Sequence, residues 1–252
     1  MIYFVGAGPG AKDLITVRGQ ELISQADCII YAGSLVNPEL LAETRPGCEI
    51  HDSAGMTLEE VMAVMLECER RGWLTVRLHT GDPSLYGAIQ EQIDRLRAED
   101  IEFQVIPGVS AFAGAAAALG AEYTLPGVSQ TLILTRMEGR TPVPEREGMP
   151  ALASIGASMA IFLSAGMLEE LSERLLAGSY TPETPAALVY KATWPDELVV
   201  RTTVAGLAEA GRQHGISRTA MVLVGDFLGG EYERSLLYDP GFSHGYRQAK
   251  DE

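Results

Sequence analysis

The chain has 252 residues, of which 46% are hydrophobic and 21% are charged, proportions that are typical of a globular protein and exclude bulk disorder. No apolar run approaches the roughly 20 residues that a membrane helix requires, and the N-terminal run MIYFVGAGPG lacks the features of a signal peptide. The formal net charge of −15 repels a phosphate backbone. We therefore expect a cytoplasmic protein, with neither a membrane nor nucleic acid as its partner.

The first half of the chain alternates strand-like and helix-like segments. Short apolar runs predict strands at 2–5, 28–31, 75–80 and 103–106. Thr57 and Glu60 form a capping box that begins a helix, and apolar spacing predicts further helices near 85–96 and 111–119. This alternation predicts a mostly parallel sheet that is covered by helices on both faces.

The second half begins after a break at 121–129. Its predicted strands are 131–135, 160–163, 186–190 and 221–224. One helix is predicted near 204–213, and another from the leucine stripe Leu168, Leu171 and Leu175. We predict two α/β domains, 1–121 and 122–252, each with a mostly parallel sheet flanked by helices, and a ligand cleft between them.

The cysteines and histidines do not have the spacing of metal ligands. No cysteine belongs to a C-x-x-C pair, and the histidines lack helical ligand spacing. We expect free thiols and no protein-bound metal from these residues: Cys28, Cys48, Cys68, His51, His79, His214 and His244.

The glycine run VGAGPG at 5–10 invites comparison with a dinucleotide-binding fingerprint. That fingerprint also requires an acidic residue at the end of the second strand, where this chain has Tyr31, Ala32 and Gly33. Pro9 also removes one amide donor. The pattern therefore disfavours a nicotinamide site, and the alternative is a tight turn whose backbone must pass close to another group.

Two further turns follow strands of the first half. They are HTGDPSLYG at 79–87 and PGVSA at 107–111. Open α/β sheets bind ligands at such strand ends, where Gly81 would admit a ligand and Asp82 would offer a carboxylate. The alternatives are a plain turn in which nearby amides satisfy Asp82, and a helix N-cap at Ser110.

Taken together, VGAGPG, GDPSLYG and PGVSA resemble the tetrapyrrole methylases, over essentially the whole chain. Four further runs resemble the precorrin-4 C11-methyltransferase branch of that family: YAGSLVNPEL at 31–40, TRMEGRTPVPE at 135–145, YKATWPDE at 190–197 and LYDPGFSHGYR at 237–247. The resemblance implies two α/β domains, S-adenosylmethionine as the methyl donor with S-adenosylhomocysteine as its product, precorrin-4 as substrate, and a homodimer.

The resemblance also implies which positions contact the cofactor. These are Pro9, Thr80, Gly81, Asp82, Leu85, Ser110 and Ala111 by motif, and Ser164, Ala192 and Ala220 by alignment of strand ends. Many relatives have GGDP where this chain has TGDP, and methionine where Ser164 is aligned. The resemblance also implies that the first glycine loop holds no cofactor phosphate, since S-adenosylmethionine has none, and that this loop borders the tetrapyrrole trough instead. We see no dedicated catalytic base.

A polycarboxylate substrate needs cationic partners in so acidic a chain. We hypothesise that the trough is lined by Arg18, Arg136, Arg140 and Lys191, because guanidinium groups suit carboxylates. The alternative is that the loop arginines pair with nearby glutamates. Three other functions stay open: a family member with another substrate, such as a different precorrin carbon or a diphthamide precursor; a nicotinamide-dependent reductase; and a non-catalytic tetrapyrrole-binding protein.

Overall fold

The computed structural model describes residues 1–33 and 35–249. Ser34, in the run 31–40, and residues 250–252, at the end of the predicted second domain, lie outside the described residues. The chain forms two compact units, Met1–Ala115 with Lys191–Glu197, and Ala116–Tyr190 with the chain from Leu198 onwards. The domain boundary at 121/122 stays a prediction. The sequence did not predict that Lys191–Glu197 belongs to the first unit.

The first unit contains an all-parallel sheet, as the alternation predicted. Its strands are β1 (Ile2–Gly6), β2 (Cys28–Tyr31), β3 (Glu49–Asp52), β4 (Thr75–His79) and β5 (Phe103–Ile106), in the spatial order β3-β2-β4-β1-β5. Its helices are α1 (Val17–Gln25), α2 (Leu58–Arg70), α3 (Gln90–Ala98) and the start of α4 (Ala111–Leu119). The edge strand β3 escaped prediction because its sequence EIHD is polar and largely exposed.

Apolar side chains alternate between the two faces of this sheet, which is why helices cover both. Val5 and Leu78 pack with Ile23 of α1 on one face, whereas Phe4 and Ile30 pack against α2 and α3 on the other. The predicted capping box is confirmed, because the Thr57 and Glu60 side chains each bind the other residue's backbone amide.

The second unit contains a sheet of five strands and three further helices. The strands are β6 (Leu132–Arg136), β7 (Ser158–Phe162), β8 (Pro185–Tyr190), β9 (Leu198–Thr203) and β10 (Ala220–Val224), in the order β6-β7-β10-β8-β9. The helices are α5 (Met149–Ala153), α6 (Leu168–Leu176) and α7 (Leu207–Gln213). The predicted leucine stripe of α6 is buried in the core.

The prediction of a mostly parallel sheet is wrong for this second unit. Only β6 and β7 run parallel, whereas β10 is antiparallel to both β7 and β8, and β8 is antiparallel to β9. The strand β9 was not predicted, and it follows β8 after the short segment Lys191–Glu197. So short a connection can join antiparallel neighbours but not parallel ones. None of the helices formed by the described residues is long and apolar enough to cross a membrane.

Candidate functional site

Three turns meet where β1, β4 and β5 end, because the carboxyl ends of parallel strands lie at one edge of a sheet. Glycines allow their backbones to touch. A Cβ on Gly6 would lie 2.6 Å from both the Gly81 oxygen and the Gly108 Cα, and a Cβ on Gly108 would lie 2.1 Å from the Gly81 oxygen. Gly81 also has a φ of +60°. The three glycine motifs thus form one junction.

Three amides of the first glycine turn are bound by oxygens of the protein itself. The Ala7, Gly8 and Ala11 amides donate to protein oxygens at 2.7, 3.3 and 3.0 Å, and Pro9 has no amide hydrogen. The next α-helix, α1, begins only at Val17. A pyrophosphate site needs available amides at a helix N-terminus, directly after such a turn. In this turn only the Gly10 amide has no partner among the described residues, and no α-helix begins directly after it. The nicotinamide alternative therefore loses support.

Asp82 connects the second turn to the third. Its Oδ2 accepts from the Gly108 amide at 2.8 Å, and its Oδ1 accepts from the Ser84 amide at 2.8 Å and from the Ser84 hydroxyl. Partial burial raises the pKa of Asp82, but the hydrogen bonds from the Ser84 hydroxyl and from the Gly108 and Ser84 amides outweigh it, and the pKa is lowered overall. The carboxylate therefore organises the turns, and its direct contact with a cofactor stays a prediction.

The other predicted positions of this junction differ in accessibility. Thr80 is exposed, Leu85 and Ala111 are partly buried, and Ser110 is buried. His79, immediately before Thr80, is only 5% exposed. Burial, with a contribution from the Arg77 charge, lowers the pKa of His79 to about 3, so this imidazole is neutral and a poor base near pH 7.

The segment Lys191–Glu197 packs on the first glycine turn, within the first unit. The Trp194 Nε1 donates to the Pro9 carbonyl at 3.1 Å. A Cβ on Gly10 would lie 2.1 Å from the Trp194 Cδ1, which explains why this position needs glycine. The structure therefore brings the predicted residues Pro9 and Ala192 into one neighbourhood.

Lys191, predicted to bind substrate, has a partner in its own turn. Its Nζ donates to Asp196 at 2.6 Å and lies 5.6 Å from the centre of the Trp194 ring. This hydrogen bond is the main cause that lowers the pKa of Asp196. The pair leaves Lys191 less available to a substrate carboxylate than the sequence suggested.

Non-glycine residues in the left-handed region are concentrated beside predicted cofactor contacts. Among the described residues they are Tyr86 (φ 56°), Ala88 (50°), Asp100 (54°), Leu163 (54°), Lys191 (45°), Thr193 (70°) and Thr219 (56°). Asp100 follows the end of α3, where this conformation is common. The others lie within three residues of Leu85, Ser164, Ala192 or Ala220. Strain of this kind costs on the order of 1–3 kcal/mol per residue and is concentrated at functional sites.

In the second unit, the predicted contact residue Ser164 is fully buried. Its hydroxyl donates to the Phe162 carbonyl at 2.7 Å and accepts from the Met137 amide at 3.0 Å. The preceding Leu163 is 69% exposed, so its side chain is the one that a ligand can reach at this strand end. Ala220 begins β10 and is partly buried. The contacts of Ser164 and Ala220 with a cofactor stay predictions.

The four predicted substrate cations occupy different surroundings. The Arg136 guanidinium donates to the carbonyls of Met137, Thr141 and Pro142 at 2.8–3.2 Å, so it holds its own loop together. The exposed Arg18 donates to the Gln104 side chain at 2.6 Å.

Arg140 is exposed and lies in the loop after β6. It forms no ion pair with any residue that the structure describes, and it lines a cavity of about 660 Å³ within the second unit, together with Glu138, Glu145 and Arg174. Glu138 pairs with Arg174 rather than with Arg140. The described residues therefore contain no ion pair between a loop glutamate and Arg136 or Arg140, so this alternative is not supported.

Sequence motifs did not single out Thr193, Trp194 or Leu163. The run TWP contained a signal, because a large aromatic residue beside a proline in a polar turn usually packs on something. Leu163 had none, since its left-handed conformation is visible only in the fold.

These features define an α/β protein in which three glycine-containing turns meet at the carboxyl edge of a parallel sheet, where a ligand site is predicted. The model of the tetrapyrrole (corrin/porphyrin) methylases matches residues 1–208, and the chain belongs to this family. The family resemblance seen in the sequence is confirmed.

Individual relatives extend the match over nearly the whole chain. A cobalt-precorrin-4 C(11)-methyltransferase of Methanocaldococcus jannaschii is 49% identical over 249 residues, which cover 98% of this chain and 96% of that protein. A precorrin-4 C(11)-methyltransferase of a Sinorhizobium species is 44% identical, with 98% of each covered. The solved structure of a cobalt precorrin-4 methyltransferase, a cobalamin biosynthetic enzyme, superposes with a TM-score of 0.88 at 48% identity, covering 90% of this chain and 95% of that one.

Proposed function

We propose that this protein transfers a methyl group from S-adenosylmethionine to C11 of precorrin-4, giving precorrin-5 in cobalamin biosynthesis. The observation that carries the proposal is the near-complete match, at almost half identity, to relatives that bear this activity in their names. Residues with positive φ lie next to several of the predicted cofactor contacts, which agrees with the proposal because such strain accompanies functional sites.

The residues at the strand-end turns fit a cofactor without phosphate. The Ala7, Gly8 and Ala11 amides of the first turn already have protein acceptors and need no phosphate to satisfy them. The Gly6, Gly81 and Gly108 junction keeps side chains out of the edge of the sheet where α/β proteins bind ligands. We propose that the residues in contact with the cofactor are Pro9, Thr80, Gly81, Asp82, Leu85, Ser110, Ala111, Ser164, Ala192 and Ala220.

The protein's part in the chemistry is alignment. S-adenosylmethionine supplies a sulfonium-bound methyl group that an electron-rich carbon can accept. The turns need to hold the reactants in line and exclude water, and this positioning can supply several kcal/mol of the barrier reduction. His79 is neutral and buried, and it is not proposed as a base. We assign no proton-transferring residue.

For the substrate's carboxylates we propose Arg140 as the main contact, with Arg18, Arg136 and Lys191 in supporting positions. Arg140 is exposed and unpaired among the described residues, whereas Arg136 and Lys191 already have partners inside the protein. This ranking follows from availability, since a guanidinium that must first leave its partners binds a carboxylate less favourably.

The test is incubation of the purified protein with methyl-labelled S-adenosylmethionine and either precorrin-4 or cobalt-precorrin-4. We expect a product heavier by one methyl group, with the label at C11 by NMR, and the ratio of the two rates identifies the preferred substrate form. Label at another carbon would assign the protein to a different branch of the family. No transfer, with tetrapyrrole bound, would identify a binding protein.

A ligand screen separates the methyltransferase from the nicotinamide alternative. S-adenosylhomocysteine at a hundredfold excess over its Kd stabilises the folded state by about 2.7 kcal/mol and raises the Tm. NAD leaves the Tm unchanged, because most amides of the first turn are occupied, no α-helix begins directly after it, and the second strand lacks an acid. A shift with NAD alone contradicts the proposal.

We also propose that the protein works in the cytoplasm as a homodimer, as its family membership implies. Analytical ultracentrifugation at several protein concentrations tests the dimer, and a species of 27.1 kDa throughout would contradict it.

A further inference from the structure

The core of the first unit contains a buried arginine without an acidic partner. Arg77 lies on β4, is 7% exposed, and forms no ion pair with any residue that the structure describes. Its Nη1 donates to the Ile30 carbonyl at 3.2 Å, and its Nε donates to the Gln92 Oε1 at 3.3 Å. Burial lowers the pKa of Arg77 to about 10, so the side chain is still charged at neutral pH. A buried, unpaired charge is unfavourable for stability, so its position calls for another reason.

The second member of this arrangement is Gln92, in the first turn of α3. It is 4% exposed, and its Nε2 donates to the Ala88 carbonyl at 3.0 Å. Because Arg77 can only donate, the Gln92 oxygen must face it, and the Gln92 amide group must face Ala88. A chain of hydrogen bonds therefore runs from Arg77 through Gln92 to the backbone of Ala88.

Ala88 belongs to the strained part of the second turn. Tyr86 and Ala88 both have positive φ, at 56° and 50°, and a Cβ on Gly87 would lie 2.2 Å from the Pro83 oxygen. The turn is so tight that it needs support at both ends. Asp82 anchors its beginning to Gly108, and Gln92 anchors its end.

We infer that Arg77 and Gln92 are positioning residues of the cofactor site: through the Ala88 carbonyl they hold the strained turn 82–88 so that Leu85 and the half-exposed Tyr86 are set in place before a ligand arrives. The inference rests on the proposed function for the identity of the ligand. The residues themselves touch no ligand. Their buried charge is retained because it fixes the orientation of one amide group.

The double variant Arg77→Met/Gln92→Leu separates a positioning role from a merely structural one, because only a positioning role weakens cofactor binding without lowering the Tm. Replacing both polar partners by apolar groups of similar size is nearly neutral for stability, and it removes the unpaired charge. We expect a Tm at or above that of the parent, together with about five- to tenfold weaker binding of S-adenosylhomocysteine by calorimetry, the effect of one lost hydrogen bond. The KM for S-adenosylmethionine rises by the same factor, and kcat changes less than about twofold.

Gln92→Glu removes only the hydrogen bond to Ala88, and it tests the inference even if the double variant does not fold. Glutamate keeps an acceptor for Arg77 but has no hydrogen to donate to Ala88. It should weaken cofactor binding about as much as the double variant does. The matched control is Gln90→Glu, the same change two residues away on the exposed side of α3. Among the described residues, the Gln90 side chain forms a hydrogen bond with Asp94 alone.

The outcomes separate the two proposals. If the parent binds S-adenosylhomocysteine and both Gln92 variants bind it within twofold of Gln90→Glu, the positioning role is wrong. If affinity falls only in proportion to a lowered Tm, the residues are structural and the inference also fails. If the parent itself binds no S-adenosylhomocysteine, the proposed function fails first.

Discussion

At the scale of single residues, the described structure assigns Asp82 a role in organisation. Its two oxygens hold the Ser84 and Gly108 backbone amides, so one carboxylate sets the geometry between the turns after β4 and β5. The motif GDP predicted a carboxylate near the ligand, and the structure adds that its geometry depends on staying ionised.

We predict that Asp82→Asn lowers the free energy of unfolding by about 1–3 kcal/mol at pH 7, because the amide cannot accept from all the donors. The folded-state pKa of Asp82 is lowered, so its stabilisation is complete above the unfolded pKa of about 4 and is lost as the pH falls through the folded pKa. Urea denaturation between pH 3 and 7 checks this: the difference between parent and variant must shrink at the acidic end.

The exposed Asp13→Asn provides the control, because Asp13 accepts no hydrogen bond from the described residues. A difference between parent and Asp82→Asn that is constant with pH contradicts the assignment.

Arg140 carries the second prediction at this scale. Arg140→Ala raises the KM for the tetrapyrrole about tenfold, the effect of losing one charged hydrogen bond, and leaves the S-adenosylhomocysteine Kd unchanged. Arg146→Ala is the matched control, since Arg146 lies in the same loop, is largely exposed and already pairs with Glu147. Steady-state kinetics with both variants decide the matter. Equal KM values for the parent and Arg140→Ala would show that Arg140 does not bind the substrate.

At the scale of elements, the segment between β8 and β9 connects two parts of the sequence that are far apart. Residues 191–197 form a turn of the second sheet's hairpin, yet they pack in the first unit against the glycine turn after β1. The contact explains glycine at position 10 without any ligand.

We predict that Gly10→Ala destabilises the protein by about 1–3 kcal/mol, because the new methyl group overlaps the Trp194 ring. Combined with Trp194→Ala, the loss is smaller than the sum of the two single effects, since the ring that causes the overlap is gone. Chemical denaturation of the four proteins in the cycle measures this coupling. Gly55→Ala is the control, since a Cβ there meets nothing within 4 Å. Additive effects would mean that the two residues do not touch in solution.

At the scale of the whole molecule, charge opposes substrate binding. The protein has a net charge of −15, and its proposed substrate is a polycarboxylate. Long-range repulsion extends about 30 Å at 0.01 M salt and only about 8 Å at 0.15 M.

We therefore predict that kcat/KM for the tetrapyrrole rises several-fold between these salt concentrations, because screening weakens the repulsion. For S-adenosylmethionine, with a net positive charge, the same change lowers kcat/KM or leaves it unaltered. The disadvantage of Arg140→Ala narrows as salt is added. Initial-rate measurements at constant pH test the prediction, and a fall in kcat/KM for both substrates would contradict it.

The sequence alone determined the features that local rules govern. Alternating strands and helices, the Thr57–Glu60 capping box and the three glycine motifs at strand ends were all readable, because each depends on neighbours within a few residues. Those motifs also carried the family, which the comparisons confirm. The position of the ligand site at the edge of the first sheet follows from strand direction, and it stays a prediction.

Only the tertiary structure decided what depends on partners distant in the chain. Strand direction in the second sheet could not be read, because apolar alternation is the same in parallel and antiparallel strands. Arg136 and Lys191 bind groups that lie close to them in sequence. Whether such a cation binds a carbonyl, a carboxylate or the substrate depends on how its loop folds. Trp194 and Pro9 are 185 residues apart, and no pattern in the intervening chain brings them together. Packing does, because the indole lies against Gly10, where any side chain would overlap it.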